Sequence, residues 1–396
     1  MMAASNDDMR RAAKRRLPRM FFDYLDGGSF SEVTLRRNRS DFDALVLEQR
    51  ILRDVRSRSM AAHFLGGTWA APMMLGPVGF SGMMRGNGEL QASRAAEKAG
   101  IPYCLSTFSV NSLAQIAAAG AAKPCFQLYV FKDRALTESM LAMAQSCGVE
   151  TLFLTVDANV SGIRERDTRN GFRTATRLPL RALVDMAMHP AWCLDIWRAG
   201  SPRLGNIAGR SEFGRGIMAQ ASRLSEQIDP GLSWEDLAWL RRQWPGRLVI
   251  KGILSVADAR RAVEIGVEGI AISNHGGRQL DAARSSISVL PAIAQTVGRQ
   301  TEILLDSGIR RGTDVYKALA LGADAVLLGR AFAYGLAAAG EAGVAAVISH
   351  IKAELDVAMA LTGVRDLAEL KADGPEIVRE RELRTTAAPS DGMPTL

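Results

Sequence analysis

The stretch LVIKGILSVADARRAVEIGVEGIAIS, residues 248–273, holds one complete unit of the fold. It opens with a short apolar run, Leu248 to Gly252, passes through a helical stretch, Val256 to Ile265, and closes with a second run, Gly269 to Ser273. Two strand-type runs joined by a helix of this length make a parallel βαβ unit. Working outward, the same alternation occupies the chain from residue 69 onward. The other strand candidates are Trp69 to Gly76, Pro102 to Ser106, Pro124 to Tyr129, Leu152 to Asp157, Glu302 to Asp306 and Ala325 to Gly329. Helix candidates such as Glu89 to Ala99, Asp133 to Cys147 and Gly312 to Leu321 lie between them, each ending at or near a glycine. Eight such repeats predict an α/β fold, a single closed (β/α)8 TIM barrel. Barrels of this kind use well over 200 residues as one domain, so residues 1–396 are expected to form one domain.

One connection breaks the rhythm. About ninety residues separate the fourth and fifth runs, far more than a βα loop needs, so an inserted segment is expected at about 170–232. It mixes Leu178, Met186, Met188, Trp192 and Trp197 with Arg177, Arg181, Arg198, Arg203, Arg210 and Arg215. Arginines among tryptophans and aliphatics suit peripheral contact with an anionic membrane surface, with a lid or an oligomer contact as the other readings. Ser233, followed by Glu235 and Asp236, reads as the N-cap of the helix leading to the fifth strand. The polar tail from about Pro375 to residue 396 is expected to be loosely held.

Composition narrows the function. Hydrophobic residues are 47% and charged residues 23% of the chain, enough for a large core and too ordinary for disorder. The net charge of +7 comes from 49 basic and 42 acidic residues without a long basic block, so no nucleic-acid partner is expected. An anionic small molecule fits better. Cys104, Cys125, Cys147 and Cys193 have no metal-type spacing, so no metal is expected and a reducing cytoplasm fits. The basic stretch Arg10 to Arg19 leads into Phe21 to Asp26 instead of a long apolar run, and no run of about 18 uncharged apolar residues occurs. Neither an export signal nor a membrane span is expected.

In a (β/α)8 barrel the chemistry gathers at the C-terminal ends of the strands. Here those ends read Pro77-Val78-Gly79, Ser106, Gln127 with Tyr129, Thr155 with Asp157, Lys251, Ser273-Asn274-His275, Asp306-Ser307 and Gly329-Arg330. One polar residue past a strand simply begins a loop; eight polar ends together mark a site. The last two ends, Asp306-Ser307-Gly308-Ile309-Arg310 and Gly329-Arg330, pair glycines with arginines on the loops where such barrels bind phosphate. His275 stands beside Arg278 in Ser273 to Asp281, a base next to a cation suited to acid–base work on an anion. His63, His189 and His350 lie away from the strand ends and read as structural. Asp157 suits the role of orienting an imidazole. Lys251 puts a charge inside an apolar run of a strand with no free edge, so a bound anion or an electron-rich ring is its expected partner. Arg164 can equally anchor its loop by pairing with Glu165 or Asp167.

These residues resemble the FMN-dependent 2-hydroxy-acid dehydrogenases and oxidases. The likeness runs from about Arg16 to Leu370, and its most specific element is Ser273 to Asp281. Phe126 to Tyr129, Thr155 to Asp157, Lys251-Gly252 and Asp306 to Gly312 support it. His189 to Trp192 and Ser233 to Glu235 place the insertion nearer the L-lactate and (S)-mandelate dehydrogenases than the soluble oxidases. The resemblance implies FMN as cofactor and His275 as general base, with Asp157 behind it. It implies that Arg164, Arg278, Tyr24 and Tyr129 hold the substrate carboxylate. FMN is implied to touch Pro77, Val78, Gly79, Ser106, Gln127, Thr155, Lys251 and Ser273, with its phosphate at Asp306, Ser307, Gly308, Arg310, Gly329 and Arg330. Lys251 then has the task of stabilising negative charge at flavin N1.

Phe108 stands where glycolate oxidases carry Trp, so its ring is expected to limit the room for the substrate side chain. The implied reaction is oxidation of an (S)-2-hydroxy acid, L-lactate or (S)-mandelate, to the 2-oxo acid. Electrons are expected to pass to quinone or the respiratory chain from a cytoplasmic enzyme, peripheral on the inner face of the membrane and tetrameric like its relatives. An oxidase using O2, and in another class an FMN-dependent isomerase or a non-catalytic flavin-binding barrel, are the other readings. Hydride transfer and prior removal of the Cα proton remain equally open.

Overall fold

The computed structural model describes residues 3–120, 124–172 and 179–380. All eight expected runs form strands of one parallel sheet: Met73–Leu75, Cys104–Ser106, Cys125–Leu128, Thr151–Thr155, Arg247–Ile253, Gly269–Ile272, Glu302–Leu305 and Ala325–Leu328. Neighbours in the chain are neighbours in the sheet, and the last strand pairs with the first through Val326, Leu327 and Leu328 against Met73, Met74 and Leu75. A parallel bridge from Leu75 to Tyr103 joins the first strand to the second and closes the ring. Met74, Cys104, Phe153, Val249, Ala271, Leu304 and Leu327 fill the interior, while the alternating residues pack outward under the helices. That period of two is what a closed parallel barrel demands.

The expected first run, Trp69 to Gly76, is divided in the structure. Gly67–Trp69 pairs antiparallel with Ala62–Phe64, and only Met73–Leu75 enters the barrel. This hairpin carries Phe64 and Leu65 against the interior residues, and Leu65 N–H donates to Glu302 at the start of the seventh strand, 2.7 Å away. It therefore stoppers the N-terminal end of the barrel and leaves the opposite end free for the site. The helices follow the reading closely. Val256–Ile265 is reproduced with Gly266 in the left-handed region at its end, and Asp133 caps Arg134–Ser146 by accepting the Ala135 N–H at 2.9 Å.

Within the insertion, the structure places helices at Leu180–Ala187, Pro190–Arg198 and Ile217–Gln227, with Arg177 and Leu178 outside the described residues. Ser233 starts Trp234–Gln243, and the Asp236 carboxylate accepts from its backbone N–H at 2.7 Å. Trp192 is buried. Its indole N–H donates to the Met83 carbonyl at 2.8 Å, and its ring lies 4.9 Å from Phe21, so this tryptophan anchors the insertion to the barrel and does not face outward. Asp195 adds an ion pair to Arg16 at 3.0 Å and a bond from the Gly86 N–H at 3.1 Å.

Residues 375–380, expected to begin a loose tail, are held. Pro375 lies inside the helix Leu367–Ile377, and Val378–Glu380 pairs antiparallel with Leu45–Leu47. A side chain on Gly374 would come within 2.0 Å of the Ala320 carbonyl, so close packing on the barrel overrides the local Gly-Pro signal. Residues 381–396 lie outside the described residues. Among the described helices one, Arg330–Leu361, is long and apolar enough to cross a membrane, but it is mostly buried in the molecule and turns at Ala339 and Gly340. The helix Asn6–Arg16 packs along it.

Candidate active site

Two adjoining cavities open at the C-terminal ends of the strands. Tyr24, Pro77, Gly79, Lys251, His275 and Arg278 line both. The first is completed by Val78, Asp306, Ser307, Gly308, Arg310, Gly329 and Arg330. The second is completed by Ser106, Phe108, Gln127, Tyr129, Thr155 and Arg164. Of the residues singled out in the sequence, Asp157 and Ser273 stand behind this lining and act on residues within it.

His275 sits in the left-handed region, φ 57°, at the end of the sixth strand. Its Nδ1 lies 2.8 Å from Asp157 Oδ1, which leaves Nε2 as the nitrogen turned toward a reactant. Burial pulls the imidazole below its ordinary 6.5, and the Asp157 carboxylate only partly opposes this. His275 is therefore neutral at pH 7 and able to accept a proton. Gly252, also left-handed at φ 117°, makes the space for that carboxylate, because a side chain there would lie 2.6 Å from Asp157 Cβ. Gln279 adds a strap, its amide donating to the carbonyls of Asp157 at 3.0 Å and Val160 at 2.9 Å.

Lys251 is buried 3.0 Å from Asp306 and 3.1 Å from the Ser273 hydroxyl. Burial alone would lower its pKa, but Asp306 and Asp157 outweigh that and raise it, so the ammonium is fixed. Ser273 lies under the cavity floor; its hydroxyl donates to Asp306 at 2.6 Å and accepts from the His275 N–H at 2.9 Å. Burial, ahead of the neighbouring Asp157 charge, pushes the Tyr129 hydroxyl up to about 12, so it stays a donor.

The arginines are arranged by the helix Arg19–Asp26, whose carbonyl end faces the cavity. Arg278 Nη1 donates to the Tyr24 and Gly27 carbonyls at 2.5 and 2.9 Å, and the guanidinium lies 4.6 Å from the Tyr24 ring centre. Its Nη2 is buried without a partner among the described residues. Arg164 Nε reaches the Arg278 carbonyl at 3.4 Å, and Nη1 is 3.7 Å from Asp167; the anchoring role and a place on the cavity wall coexist. Arg330, expected at a phosphate, lines the first cavity and donates to the carbonyls of Leu25, Gly276 and Gly27 at 3.0, 2.8 and 2.7 Å. Burial, then repulsion from Arg278, lowers its pKa to about 10. The carbonyls of Tyr24, Leu25 and Gly27 are the acceptors a helix leaves unsatisfied at its C-terminus, which is why arginines collect there.

The donor set fits FMN. Gln127 Nε2 is a buried donor without a partner among the described residues, in the wall of the second cavity. Gly329 begins the long helix Arg330–Leu361, and a side chain there would meet nothing within 4 Å. It leaves an open, positively polarised helix N-terminus suited to phosphate. Gly308 and Arg310 face the same cavity, and Lys251 supplies the cation for an electron-rich ring.

Sequence reasoning missed Phe80, Ala158, Ser225 and Ile228, which also line the second cavity. Apolar or insertion residues carry no chemical signature, and only the fold brings them here.

The family model described as "FMN-dependent dehydrogenase" matches residues 13–377. The chain belongs to that family. It is 47% identical to an L-lactate dehydrogenase of Caulobacter vibrioides (strain NA1000 / CB15N) over 371 residues, 93% of this chain and 97% of the relative. It is also 47% identical to an L-lactate dehydrogenase of Pseudomonas aeruginosa (strain LESB58) over 381 residues, 96% of this chain and 99% of the relative. Among solved structures, the monotopic membrane protein (S)-mandelate dehydrogenase superimposes with a TM-score of 0.90 at 41% identity, covering 96% of this chain and all of that one. The enzyme is thus an FMN-dependent dehydrogenase, and its cofactor is FMN.

Proposed function

We propose that this enzyme oxidises an (S)-2-hydroxy acid of the L-lactate or (S)-mandelate type to the 2-oxo acid, the whole chain serving as one FMN-binding domain. The observation that carries this is the meeting in one cavity of a neutral His275, Lys251 and Arg278, whose Nη2 has no partner among the described residues, with Asp157 held behind the imidazole. The relatives named for L-lactate and (S)-mandelate support the substrate class.

Bound FMN supplies the two-electron acceptor. Gln127, Lys251 and Thr155 would hold its ring, and Gly308, Arg310 and Gly329 its phosphate. Arg278 and Arg164 clamp the substrate carboxylate, and the Tyr129 hydroxyl donates to it. His275 Nε2 takes a proton from the substrate. Asp157 accepts the Nδ1–H and stabilises the imidazolium that results. Lys251, held charged by Asp306, would offset the negative charge of the reduced cofactor. The Phe108 ring, its centroid 6.0 Å from that of Phe80 and 5.7 Å from that of Tyr129, narrows the space beyond the clamp and favours the shorter side chain.

Anaerobic titration of the purified yellow protein with both enantiomers of lactate and mandelate tests this reading. The (S) acids should bleach the flavin and the (R) acids should not; a flavin left oxidised by every acid would reject it.

The electron acceptor is a membrane quinone in this reading, reached from the peripheral face of a bilayer. What supports it is an apolar surface on the insertion. Leu180, Met188 and Trp197 are 76%, 75% and 77% exposed, with Leu183, Val184 and Leu194 exposed among them. Arg181 and Arg198 sit on the same two helices, and a large exposed apolar patch with cations suits the surface of an anionic bilayer.

A further inference from the structure

The segment after the second strand, residues 106–113, carries Phe108 into the substrate cavity, yet its backbone is tied down from outside the barrel. From the insertion, buried Asn206 donates through its amide to the Ser106 and Thr107 carbonyls, each at 3.3 Å, and to the Ser109 hydroxyl at 3.0 Å. Its Oδ1 accepts the Leu113 N–H at 2.8 Å. Next to it, the Gly205 N–H donates to the Ser109 carbonyl at 3.0 Å. This approach is open only to glycine, since a side chain on Gly205 would lie 2.3 Å from the Ser112 nitrogen.

From the helix Gly88–Lys98, the fully buried carboxylate of Glu89 accepts the N–H groups of Val110 at 3.0 Å and Asn111 at 3.4 Å. It also accepts that of Gly82 at 2.9 Å, in the segment that carries Phe80. The Phe80 N–H in turn donates to the Phe108 carbonyl at 2.9 Å. Two side chains from separate elements thus satisfy the backbone of one short segment, and such a segment has a single conformation available.

We infer that Asn206 is a positioning residue for substrate selection: the insertion, chiefly through this amide, helps fix where the Phe108 ring stands. Asn206 does not line the cavity, so it acts through Phe108. The inference rests on the reading that the cavity bounded by Phe108 receives the substrate side chain.

The test compares Asn206→Ala, Asn206→Asp and Phe108→Ala as FMN-loaded enzymes. The Asp variant keeps the acceptor for Leu113 and removes the donors. For each, kcat and KM are measured with L-lactate and with (S)-mandelate, alongside flavin content. Both Asn206 variants should shift the mandelate-to-lactate ratio of kcat/KM by about tenfold, in the same direction as Phe108→Ala. The shift should sit in KM, with flavin content retained. A ratio unmoved in both Asn206 variants while Phe108→Ala moves it would overturn the inference and spare the cavity reading. Loss of kcat for both acids in proportion to lost flavin would overturn it too, marking a merely structural residue. A ratio unmoved even in Phe108→Ala would remove the cavity reading, and the inference with it. If Asn206→Ala does not fold, Asn206→Asp carries the same comparison.

Discussion

His275, the proposed base, depends on a glycine. Gly252 has φ 117°, and a methyl group there would fall 2.6 and 2.7 Å from Cβ and Cγ of Asp157. Gly252→Ala must therefore displace the carboxylate that orients His275 and also carry backbone strain. A misplacement of this kind costs about 100-fold in rate, so stopped-flow flavin bleaching by L-lactate should slow by that order while FMN stays bound. Bleaching at the parent rate would show that Asp157 is not needed where it stands. The same pair sets the pH response. Because burial holds His275 below 6.5, the base is unprotonated above that value. The rate of substrate reduction should be flat through neutral pH and fall only as pH drops below 6.5; an acid limb centred above pH 7 would contradict a neutral, buried base. His275 and Asp157 were legible in the sequence because titratable residues directly after apolar runs are conspicuous. The left-handed turn at His275 and the vacancy at Gly252 were not, since both are consequences of packing between strands that the sequence does not place side by side.

At the scale of elements, the eight barrel strands and their helices could be read because alternating runs of distinct period need no tertiary information. The misreading of Trp69 to Gly76 has a local cause: Thr68 and Trp69 are strand formers in either setting, and only the covering of the barrel floor by Phe64 and Leu65 assigns them to a hairpin. Within the insertion, the apolar and basic residues were legible as a surface signal, but not which of them turn inward. Trp192 proved to be an anchor under the helix Pro190–Arg198, whereas Trp197 on the same helix is exposed. The exposed set, not the composition, is the surface to test. Burying an apolar side chain of this size contributes roughly 1.5 kcal/mol or more. A Leu180→Ser, Met188→Ser, Trp197→Ser triple variant should thus lose more than about tenfold of its partitioning onto phosphatidylglycerol vesicles, with its bleaching by L-lactate intact. Equal co-sedimentation of variant and parent would remove the membrane role of this face.

Across the whole molecule, one buried carboxylate ties the N-terminus to the mouth of the barrel. Asp26 accepts from Arg10 at 2.6 and 2.8 Å, from Arg166 at 3.1 Å and from the Tyr334 hydroxyl at 2.7 Å. These partners come from the first helix, the helix Glu165–Asn170 that leads into the insertion, and the long helix after the last strand. Beside it, Arg278 and Arg330 hold the carbonyl end of the helix that brings Tyr24 over the cavity. The N-terminal helices thus form part of the site through an ion pair and a hydrogen bond between segments 140 and 308 residues apart, which no local reading of the sequence could join. Burial would raise the Asp26 pKa, but Arg10 and Tyr334 overcome this and hold it at about 2 against an ordinary 3.8. A depressed carboxylate stabilises the fold fully above its unfolded pKa and loses that contribution as pH falls through the folded one. The parent should therefore lose stability between about pH 4 and pH 2 on this account. Asp26→Asn keeps the shape but leaves the arginines without their counter-charge. With Arg10 and Arg166 partly in solvent, the change should cost about 1 to 2 kcal/mol in urea unfolding at pH 7 and flatten the acid part of the stability profile. A variant with the parent's urea midpoint and the parent's acid response would mean that the N-terminal helices are held by their apolar faces alone.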